Sequence, residues 1–323
     1  NHKAMNKIIS KEQFSEKVFK LEIEAPLIAK SRRAGHFVIV RVDEKGERMP
    51  LTIAGSNLEK GTITLVVQTV GLSSTKLCKL NEGDYVLDVV GPLGQATHIQ
   101  NYGTVVCAGG GVGVAPMLPI IQALKAAGNR VISVLAGRSK ELIILEEEVR
   151  ASSDEVIIMT DDGSYGTKGL VTEGIESVIK REKVDKCFAI GPAIMMKFCC
   201  LLTKKYEIPT DVSLNTIMVD GTGMCGACRI TVGGKTKFVC VDGPEFDGHQ
   251  VDFDEMFKRM GSFKDVEREE MSHLEQHVCK VEPQAEAKES ECKPCSEKAC
   301  QMPMEELLDR KAPWREELRK AMK

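Results

Sequence analysis

Three cysteines and one aspartate, spaced like the ligands of an iron–sulfur cluster, carry the clearest chemical signal in the sequence. The residues are Asp220, Cys225, Cys228 and Cys240. Four residues separate Asp220 from Cys225, two separate Cys225 from Cys228, and Cys240 follows at a distance. Apart from the aspartate in first place, this is the Cys-x4-Cys-x2-Cys spacing of plant-type [2Fe–2S] clusters. The spacing predicts such a cluster, and zinc is the alternative because it also accepts three thiolates and a carboxylate.

A second group of cysteines follows towards the end of the chain. It comprises Cys279, Cys292, Cys295 and Cys300, and thiolates are ligands of both zinc and iron–sulfur centres. The polar, acidic stretch 281–291 that runs through this group is typical of a flexible linker. Two interpretations of these cysteines therefore stay open: they bind a second metal or cluster, or they are free thiols.

A glycine-rich turn provides another chemical signal. It contains Gly109, Gly110, Gly111 and Gly113 and is followed by Pro116. Glycines let the backbone approach a diphosphate, and a helix that begins there offers free N–H groups and a positive dipole end. Pro116 suits the first helical turn, although the usual dinucleotide fingerprint has a third glycine where this proline stands. The turn predicts a nucleotide-phosphate site, with a plain strand–helix turn as the alternative.

The hydrophobic pattern indicates which elements position these sites. Residues 5–100 contain short apolar or alternating runs separated by glycine-containing turns, which is typical of a β-barrel or sandwich. From residue 103 to 205, short apolar strands and helical segments alternate four times. This alternation predicts a parallel sheet with helices on both faces, and such sheets bind ligands beyond the carboxyl ends of their strands. The predicted domains are a barrel at 5–100, an α/β domain at 101–212, a cluster domain at 213–275, and a cysteine-containing linker with a helical tail at 276–323.

A β domain followed by this glycine turn resembles the ferredoxin–NADP reductase superfamily. There a β-barrel holds a flavin and an α/β domain holds a nicotinamide nucleotide, so the resemblance implies an FAD-binding barrel and an NAD-binding parallel-sheet domain. Arg48, Pro50, Leu51 and Thr52 stand in place of the superfamily's flavin motif. By this resemblance Arg48 contacts a flavin phosphate, Leu51 lies against the isoalloxazine ring and Thr52 lies near its N5. Leu51 replaces the usual aromatic residue, and Arg48 lies one position further from Thr52 than in the motif.

The same resemblance extends to the second flavin-phosphate element and to the nucleotide site. Gly71, Ser73, Ser74 and Thr75 are similar to the flavin-phosphate element. Acidic residues near the strand ends favour NAD over NADP, and no side-chain acid or base is required, because hydride passes directly to the flavin N5. The implied NAD(H) site comprises Gly109, Gly110, Gly111, Gly113, Pro116, Arg138 near the adenosine ribose, Asp161 at the rim, and Gly191 and Pro192 near the nicotinamide, with Glu146, Asp161 and Asp162 as the acidic residues.

The order of flavin, nucleotide and cluster segments narrows the resemblance further. With this order the chain resembles the electron-transfer subunit of class B dihydroorotate dehydrogenases, and it resembles more closely the small subunit of NADH-dependent reduced ferredoxin:NADP oxidoreductases. The dihydroorotate dehydrogenase subunits have a cysteine where Asp220 stands, whereas the small subunit of sulfide dehydrogenases is not distinguished by sequence. A carboxylate ligand is harder than a thiolate, so Asp220 is expected to alter the cluster's potential.

This resemblance implies an oxidoreductase subunit that passes electrons from NAD(H) through FAD and a [2Fe–2S] cluster to a partner. The implied partner is a large flavoprotein and iron–sulfur subunit, similar to the small subunit of glutamate synthase, with ferredoxin as a further partner. The activity would be flavin-based electron bifurcation between NADH, NADPH and ferredoxin. Two other hypotheses stay open: a stand-alone NAD(P)H:acceptor reductase, and a zinc-stabilised binding module without redox cofactors.

Composition excludes several other classes of protein. Among 323 residues, 44 are Lys or Arg and 47 are Asp or Glu, for a net charge of -3, so the basic excess of nucleic-acid-coating proteins is missing. No apolar run reaches the roughly 18 residues that a membrane span needs. The polar first residues lack the apolar core of a signal peptide. A cytoplasmic location is therefore expected, where thiols stay reduced.

Overall fold

The computed structural model describes residues 6–262 and 268–269. All of the described residues belong to one compact unit, residues 1–276. Residues 277–323 lie outside the described residues, and with them the predicted helical tail and the cysteines at 279, 292, 295 and 300. No helix among the described residues is both long enough and apolar enough to cross a membrane.

The N-terminal part folds into a seven-stranded antiparallel sheet that closes almost completely into a barrel. The strand order is β6-β1-β2-β5-β4-β3-β7. Strands β6 and β7 lie at opposite ends of this order, yet only Leu87 separates them along the chain, so the two edges of the sheet come close together. The elements are β1 (Asn6–Ser15), β2 (Val18–Glu24), α1 (Pro26–Ser31), β3 (Phe37–Arg41), β4 (Met49–Asn57), β5 (Thr62–Gln68), α2 (Leu72–Lys79), β6 (Tyr85–Val86) and β7 (Asp88–Leu93).

Alternating side chains fill the barrel interior. On β5, Ile63, Leu65 and Val67 are buried together and pack in one cluster with Leu77 of α2. A strand turns successive side chains to opposite faces, so this period of two places one apolar row inside. Each such side chain contributes roughly 1.5–3 kcal/mol when fully buried. The prediction of a β-barrel in the N-terminal part of the chain is confirmed.

The α/β part contains the predicted parallel sheet, with strand order β11-β10-β9-β8-β12-β13. Consecutive residues of β8 face opposite sides: Val105 packs with α3 and α4, whereas Val106 packs with α5 and α6. Helices therefore cover both faces, as the alternation predicts. The elements are β8 (Thr104–Gly110), α3 (Val114–Ala126), β9 (Arg130–Gly137), α4 (Glu146–Ser152), β10 (Glu155–Thr160), β11 (Thr167–Lys168), α5 (Val171–Arg181), β12 (Lys186–Ile190), α6 (Ala193–Lys205) and β13 (Thr210–Ser213).

The segment that carries the predicted cluster adds a small hairpin and one further strand. Its elements are β14 (Arg229–Val232), β15 (Lys235–Phe238), α7 (Val239–Asp242), β16 (Glu245–Asp247) and α8 (Phe253–Met260). Gly233 and Gly234 join β14 to β15 with φ values of 57° and 75°, which suits a two-residue hairpin turn. Strand β16 pairs antiparallel with β13, so this segment extends the parallel sheet at its edge. The domain limits drawn from sequence stay predictions.

The same segment is also bonded to the barrel. Gln95, just after β7, donates its backbone N–H to the Gly243 carbonyl at 2.6 Å and its side-chain amide to the Val241 carbonyl at 2.9 Å. Thr97 Oγ1 donates to Glu245 Oε1 at 2.6 Å. The cluster segment therefore contacts both of the preceding sheets.

Candidate functional site

The cluster loop, residues 219–228, lies directly on the barrel. Gly221 has φ 84°, and a Cβ added there would lie 2.8 Å from Ile39 Cγ1 and 3.0 Å from Leu93 Cδ1. Ile39 belongs to β3 and Leu93 to β7. Only glycine combines this backbone conformation with such a close approach, so the loop backbone is pressed against two barrel strands.

Two of the predicted cluster thiols already lie side by side. Cys228 Sγ and Cys240 Sγ are 3.2 Å apart and both residues are buried. The Cys240 backbone N–H donates to Cys228 Sγ at 3.4 Å. Burial raises the pKa of the Cys240 thiol to about 12, and the neighbouring Cys228 thiol adds to this effect. Because a metal ligand must be a thiolate, binding here is coupled to proton release.

Cys225, the third thiol, is exposed and has the opposite character. The backbone N–H of Ala227, followed by those of Asp220 and Val219, lowers the pKa of the Cys225 thiol. By contrast, burial raises the pKa of Cys78 to about 11. Among the described residues, no three metal-binding side chains stand close enough to hold an ion as they are placed. The structure therefore brings Cys228 and Cys240 together and leaves Cys225 at the loop surface.

Asp220 shapes the loop through its carboxylate. One oxygen, Oδ2, accepts hydrogen bonds from the Thr222 hydroxyl, from Thr222 N at 2.9 Å and from Met224 N at 3.3 Å. The Thr222 hydroxyl, followed by these N–H groups, lowers the pKa of Asp220, so the side chain is a carboxylate at neutral pH. Its ligand role stays a prediction. Three thiols and a carboxylate on one loop and the adjoining α7 are a donor set that fits an iron–sulfur cluster.

Arg48 joins the predicted flavin motif to the cluster loop. Its Nε donates to the Val219 carbonyl at 2.7 Å and its Nη2 to the Asp220 carbonyl at 3.3 Å. Sequence reasoning placed Arg48 at a flavin phosphate and missed these contacts. The one signal in the sequence for a different role is that Arg48 lies one position further from Thr52 than the arginine of the superfamily motif. A residue two positions before Pro50 is thus bonded to the segment that carries Asp220.

The other flavin-motif residues lie on β4, next to β3. Leu51 is paired with Val38 and Thr52 with Phe37. Pro50, Leu51 and Thr52 are partly exposed, so their side chains retain a surface that a planar ring can contact.

The second predicted flavin-phosphate element forms the start of α2. The Ser74 hydroxyl accepts from Val70 N and Gly71 N and donates to the Gly71 carbonyl, each at 3.0 Å. Ser74 is thus engaged as a helix cap. Ser73 donates to Glu47 at 3.3 Å, which places this element beside the residue preceding Arg48. Thr75 donates its backbone N–H to the Gly71 carbonyl at 3.0 Å.

The predicted nucleotide residues gather at the carboxyl ends of adjacent strands. Gly109, at the end of β8, is paired with Ile190 of β12, and Gly110 is paired with Ala136 of β9. A Cβ on Gly113 would collide with the Ile190 carbonyl and lie 2.7 Å from Gly191 Cα. The backbone of the glycine turn therefore packs directly on the loop after β12.

Pro116 and Pro192 stand at the beginnings of two helices. Pro116 lies in the first turn of α3, and Pro192 immediately precedes α6. Met195, in the first turn of α6, fills the space between the two loops: a Cβ on Gly191 would lie 2.8 Å from its Cε. Met195 therefore covers the predicted nicotinamide end of the site.

The loops after β9 and β10 are joined by backbone hydrogen bonds. Asp161 N donates to the Gly137 carbonyl at 3.1 Å, and Asp162 N donates to the Arg138 carbonyl at 3.2 Å. Arg138 is exposed. The Asp162 carboxylate is hydrogen-bonded within its own loop: it accepts from Ser164 N at 2.9 Å and from the Ser164 hydroxyl at 2.7 Å. Arg138 and Asp161 are thereby placed at one edge of the predicted nucleotide site.

Glu146, the other acidic residue predicted to favour NAD, is engaged by neighbours. It accepts from Arg150 Nε at 2.7 Å and from the Tyr165 hydroxyl at 3.0 Å. Of the three acidic residues near the strand ends, Asp161 is the one for which the described structure contains no side-chain hydrogen bond.

Comparison with known proteins places the chain among electron-transfer subunits. Residues 215–252 match a family model described as the iron–sulfur cluster binding domain of dihydroorotate dehydrogenase B. The chain is 49% identical over 265 residues to the dihydroorotate dehydrogenase B (NAD(+)) electron transfer subunit homolog of Thermotoga maritima, which covers 82% of this chain and 94% of the relative. It is 31% identical over 253 residues to the corresponding electron transfer subunit of Desulforamulus reducens, over 76% of this chain and 96% of that protein.

A solved structure is similar over nearly its whole length. A chain in the structure of NADH-dependent reduced ferredoxin-NADP oxidoreductase, a study of flavin-based electron bifurcation, is 47% identical to this chain. The match covers 84% of this chain and 98% of that chain, with a TM-score of 0.81.

Proposed function

Since the chain belongs to the family of dihydroorotate dehydrogenase B electron transfer subunits and their homologues, we propose that it passes electrons from NADH to a partner subunit in a bifurcating enzyme. It is a flavoprotein oxidoreductase subunit whose cofactors are FAD, a [2Fe–2S] cluster and NAD(H). The observation that carries the proposal is the bond between the two redox segments: Arg48, beside the flavin motif, donates to the cluster loop at Val219 and Asp220.

The barrel supplies the proposed FAD site. Flavin accepts two electrons as hydride and releases them singly, which is the chemistry that links a nicotinamide to an iron–sulfur centre. Leu51 and Thr52 present partly exposed side chains on β4 for the ring. Gly71 offers open space, since a Cβ there would meet no atom within 4 Å. With Arg48, Pro50, Ser73, Ser74 and Thr75 these residues form the proposed site.

The glycine turn supplies the proposed NAD(H) site. Gly109, Gly110, Gly111 and Gly113 keep the backbone bare at the start of α3, where N–H groups and the helix dipole favour a diphosphate. The remaining residues have distinct roles: Pro116 sets the first helical turn, Arg138 and Asp161 bind the adenosine end, and Gly191 and Pro192 leave room at the nicotinamide end.

The cluster loop supplies the proposed [2Fe–2S] ligands. Cys228 and Cys240 act as one pair, because their sulfurs are 3.2 Å apart. Asp220 and Cys225 form the second pair on the exposed side of the loop, where backbone N–H groups already stabilise the Cys225 thiolate. Such N–H groups support the negatively charged sulfurs of a cluster.

The chain is a subunit of a larger complex, as its relatives are. We assign it a large flavoprotein and iron–sulfur partner and ferredoxin, with electrons distributed between NADH, NADPH and ferredoxin. The complex is assigned to the cytoplasm, where the free thiols of the described residues stay reduced. Electron transfer to a dihydroorotate dehydrogenase is the second candidate, since the curated relatives carry that description.

The test is anaerobic purification of the complex, followed by visible and EPR spectra and assays with NADH, NADP and ferredoxin together. The expected result is flavin bands, a [2Fe–2S] signal on reduction, and reduction of NADP that requires both NADH and reduced ferredoxin as electron donors. Cys228→Ser should abolish the cluster signal, whereas Cys78→Ser, a buried barrel thiol outside the loop, should retain it. A complex without iron, or a zinc-loaded one, would refute the proposal. Dihydroorotate-dependent NAD reduction would favour the second candidate.

A further inference from the structure

Arg48 is the one barrel residue that hydrogen-bonds to the cluster loop, within the part of the chain that the structure describes. Its Nε donates to the Val219 carbonyl at 2.7 Å and its Nη2 to the Asp220 carbonyl at 3.3 Å. Val219 itself is 52% exposed, and the Asp220 carboxylate accepts from the loop's own Thr222 and Met224. The Asp220 end of the loop therefore depends on Arg48 for its hydrogen bonds to the barrel.

The surface beneath the loop belongs to strands next to the flavin motif. A Cβ on Gly221 would lie 2.8 Å from Ile39 Cγ1 and 3.0 Å from Leu93 Cδ1. Ile39 of β3 is paired with Pro50 of the flavin motif. The loop backbone therefore rests on a barrel residue that is the cross-strand neighbour of the proposed flavin site.

Strand β3 also packs with the buried thiols. Phe37 and Ile39 belong to the same hydrophobic cluster as Cys228 and Cys240. Phe37 is paired with Thr52 of the flavin motif. The packing that joins the proposed flavin strand to the two buried thiols thus runs through β3, so the way the cluster segment sits on this strand sets its distance from the flavin.

We propose that Arg48 is a positioning residue for the step in which one electron passes from the reduced flavin to the cluster. The inference rests on the proposed function, in which the flavin lies at Leu51 and Thr52 and the cluster lies in this loop. NADH delivers two electrons to the flavin as hydride, the cluster accepts them one at a time and passes them to the partner, and the flavin's proton is released. Electron transfer through protein slows steeply as the distance between the two centres grows, so a loop held against the barrel favours this step.

A second anchor, just after β7, holds the other half of the cluster segment without Arg48. Gln95 donates its backbone N–H to the Gly243 carbonyl at 2.6 Å and its side-chain amide to the Val241 carbonyl at 2.9 Å. Val241 follows Cys240 directly in α7. Loss of the Arg48 bonds should therefore loosen the loop and leave the buried pair of thiols in place.

The test separates the two electron-transfer steps in the purified complex after rapid mixing with NADH. Bleaching of the flavin reports hydride transfer, freeze-quench EPR reports reduction of the cluster, and iron and FAD content are measured for every variant. Arg48→Gln should slow cluster reduction relative to flavin bleaching at least about tenfold, since a misplacement of about 1 Å can cost on the order of 10²-fold in rate. Arg48→Lys keeps the charge but lacks the planar fork that reaches both carbonyls, so it should stay slow.

Amide hydrogen exchange of the cluster loop in the same complex gives a readout that does not depend on electron flow. The loop should exchange faster in Arg48→Gln, because its bonds to the barrel are gone. Arg41→Gln is the matched control for both measurements. Arg41 is also a partly buried barrel arginine, but its Nε donates to Asp88 of β7 at 2.7 Å. Its replacement removes an equal charge and should leave the ratio of the two rates and the loop exchange unchanged.

Gly221→Ala tests the same seating with the arginine in place. Its methyl group would press against Ile39 and Leu93, so the loop should move off the barrel and cluster reduction should again slow relative to flavin bleaching. Gly234→Ala is the control: Gly234 has a similar left-handed φ, 75° against 84° for Gly221, but an added Cβ would meet no atom within 4 Å.

Each outcome decides the inference. An equal ratio of rates in Arg48→Gln and Arg41→Gln overturns it, and so does full recovery in Arg48→Lys, because charge alone would then suffice. If Arg48→Gln fails to retain FAD or iron, Gly221→Ala is compared with Gly234→Ala instead, and an equal ratio in those two again overturns it. A wild-type complex that contains no flavin or no iron–sulfur cluster refutes the proposed function itself.

Discussion

The cluster cysteines differ sharply in their surroundings. Cys225 is exposed and backbone N–H groups, that of Ala227 first, lower its pKa, whereas burial beside Cys228 raises the pKa of Cys240 to about 12. The exposed thiol is therefore the more readily ionised ligand. This asymmetry favours a loop in which one pair of ligands is fixed in the core and the other pair adapts at the surface.

Asp220→Asn separates the two roles of the aspartate, which are to accept hydrogen bonds within the loop and to act as the predicted cluster ligand. The amide oxygen can still accept from Thr222 N and Met224 N, so the loop should keep its shape. The variant lacks an anionic ligand, and iron retention should fall by at least about tenfold. Iron content and the EPR signal of the purified complex measure this.

The control for that prediction is Asp252→Asn. Asp252 caps α8 by accepting from Glu255 N at 2.9 Å, and the amide can keep that bond. Iron content should not change. An unaltered cluster in Asp220→Asn would show that the carboxylate only caps the loop.

At the scale of elements, the predicted binding regions are turns whose backbones lie close to other backbones. The glycine turn after β8 packs on the loop after β12, and the cluster loop packs on β3 and β7. Such approaches leave no room for a Cβ. The lack of space therefore accounts for the glycines at these positions, and backbone freedom alone does not. Gly113, for example, has an ordinary helical φ of -62°.

Gly113→Ala tests the close approach at the glycine turn. The added methyl group would collide with the Ile190 carbonyl, and a backbone atom cannot move aside cheaply. We expect the free energy of unfolding to fall by about 1–3 kcal/mol, together with slower reduction of the flavin by NADH.

Chemical denaturation and stopped-flow reduction of the complex measure these two effects. Gly55→Ala is the matched control, because its Cβ would meet Thr64 Oγ1 at an ordinary 3.4 Å. Equal stability of the two variants would contradict the packing argument.

At the scale of the whole molecule, Glu245 lies where the three segments meet. It belongs to β16, accepts from Thr97 of the barrel–sheet connection at 2.6 Å, and has the Lys186–Asp211 ion pair of the parallel sheet nearby. Burial raises the pKa of Glu245 to about 7, and Asp211 adds to the increase, while Thr97 and Lys186 oppose it. The carboxyl is thus held in a setting that disfavours its charge.

A pH dependence of stability follows from this raised pKa. The Glu245 carboxyl ionises near pH 4.5 in the unfolded chain and near pH 7 in the folded chain. Between these two pH values the folded state therefore holds more protons than the unfolded state. Stability contributed by the protonated group is fully present below about pH 4.5 and declines as the pH rises towards 7. The full decline amounts to roughly 3 kcal/mol.

Glu245→Gln should remove that decline, because the amide keeps an acceptor for Thr97 and carries no charge. The thermal midpoints of the variant and the wild type, compared at pH 5 and pH 8, measure it: the variant should be relatively more stable at pH 8. Glu176→Gln is the control, since hydrogen bonds from Lys180 and Tyr206 lower the pKa of that exposed carboxyl. A parallel pH response of wild type and Glu245→Gln would contradict the prediction.

Most of the fold and of the site chemistry could be predicted from local sequence patterns. Strand and helix periodicity depends on neighbours within a few residues, so it predicted the barrel and the alternating α/β part. It also predicts a helix over Ala193–Lys205, which are the limits of α6. The sequence also predicts a helix over 141–150, whereas α4 begins only at Glu146, since Leu145 has a left-handed φ of 55°. The spacing of Asp220, Cys225 and Cys228 lies within one loop, and it predicted the iron–sulfur segment.

Only the tertiary structure decided which distant residues meet. Arg48 reaches the cluster loop across more than 170 positions of sequence, Thr97 reaches Glu245, and β16 pairs with β13. No local pattern encodes these contacts, because they arise when packed sheets bring separate segments to one place. The sequence thus determined the kinds of chemistry present, and the fold determined how the flavin strand, the nucleotide loops and the cluster loop are joined.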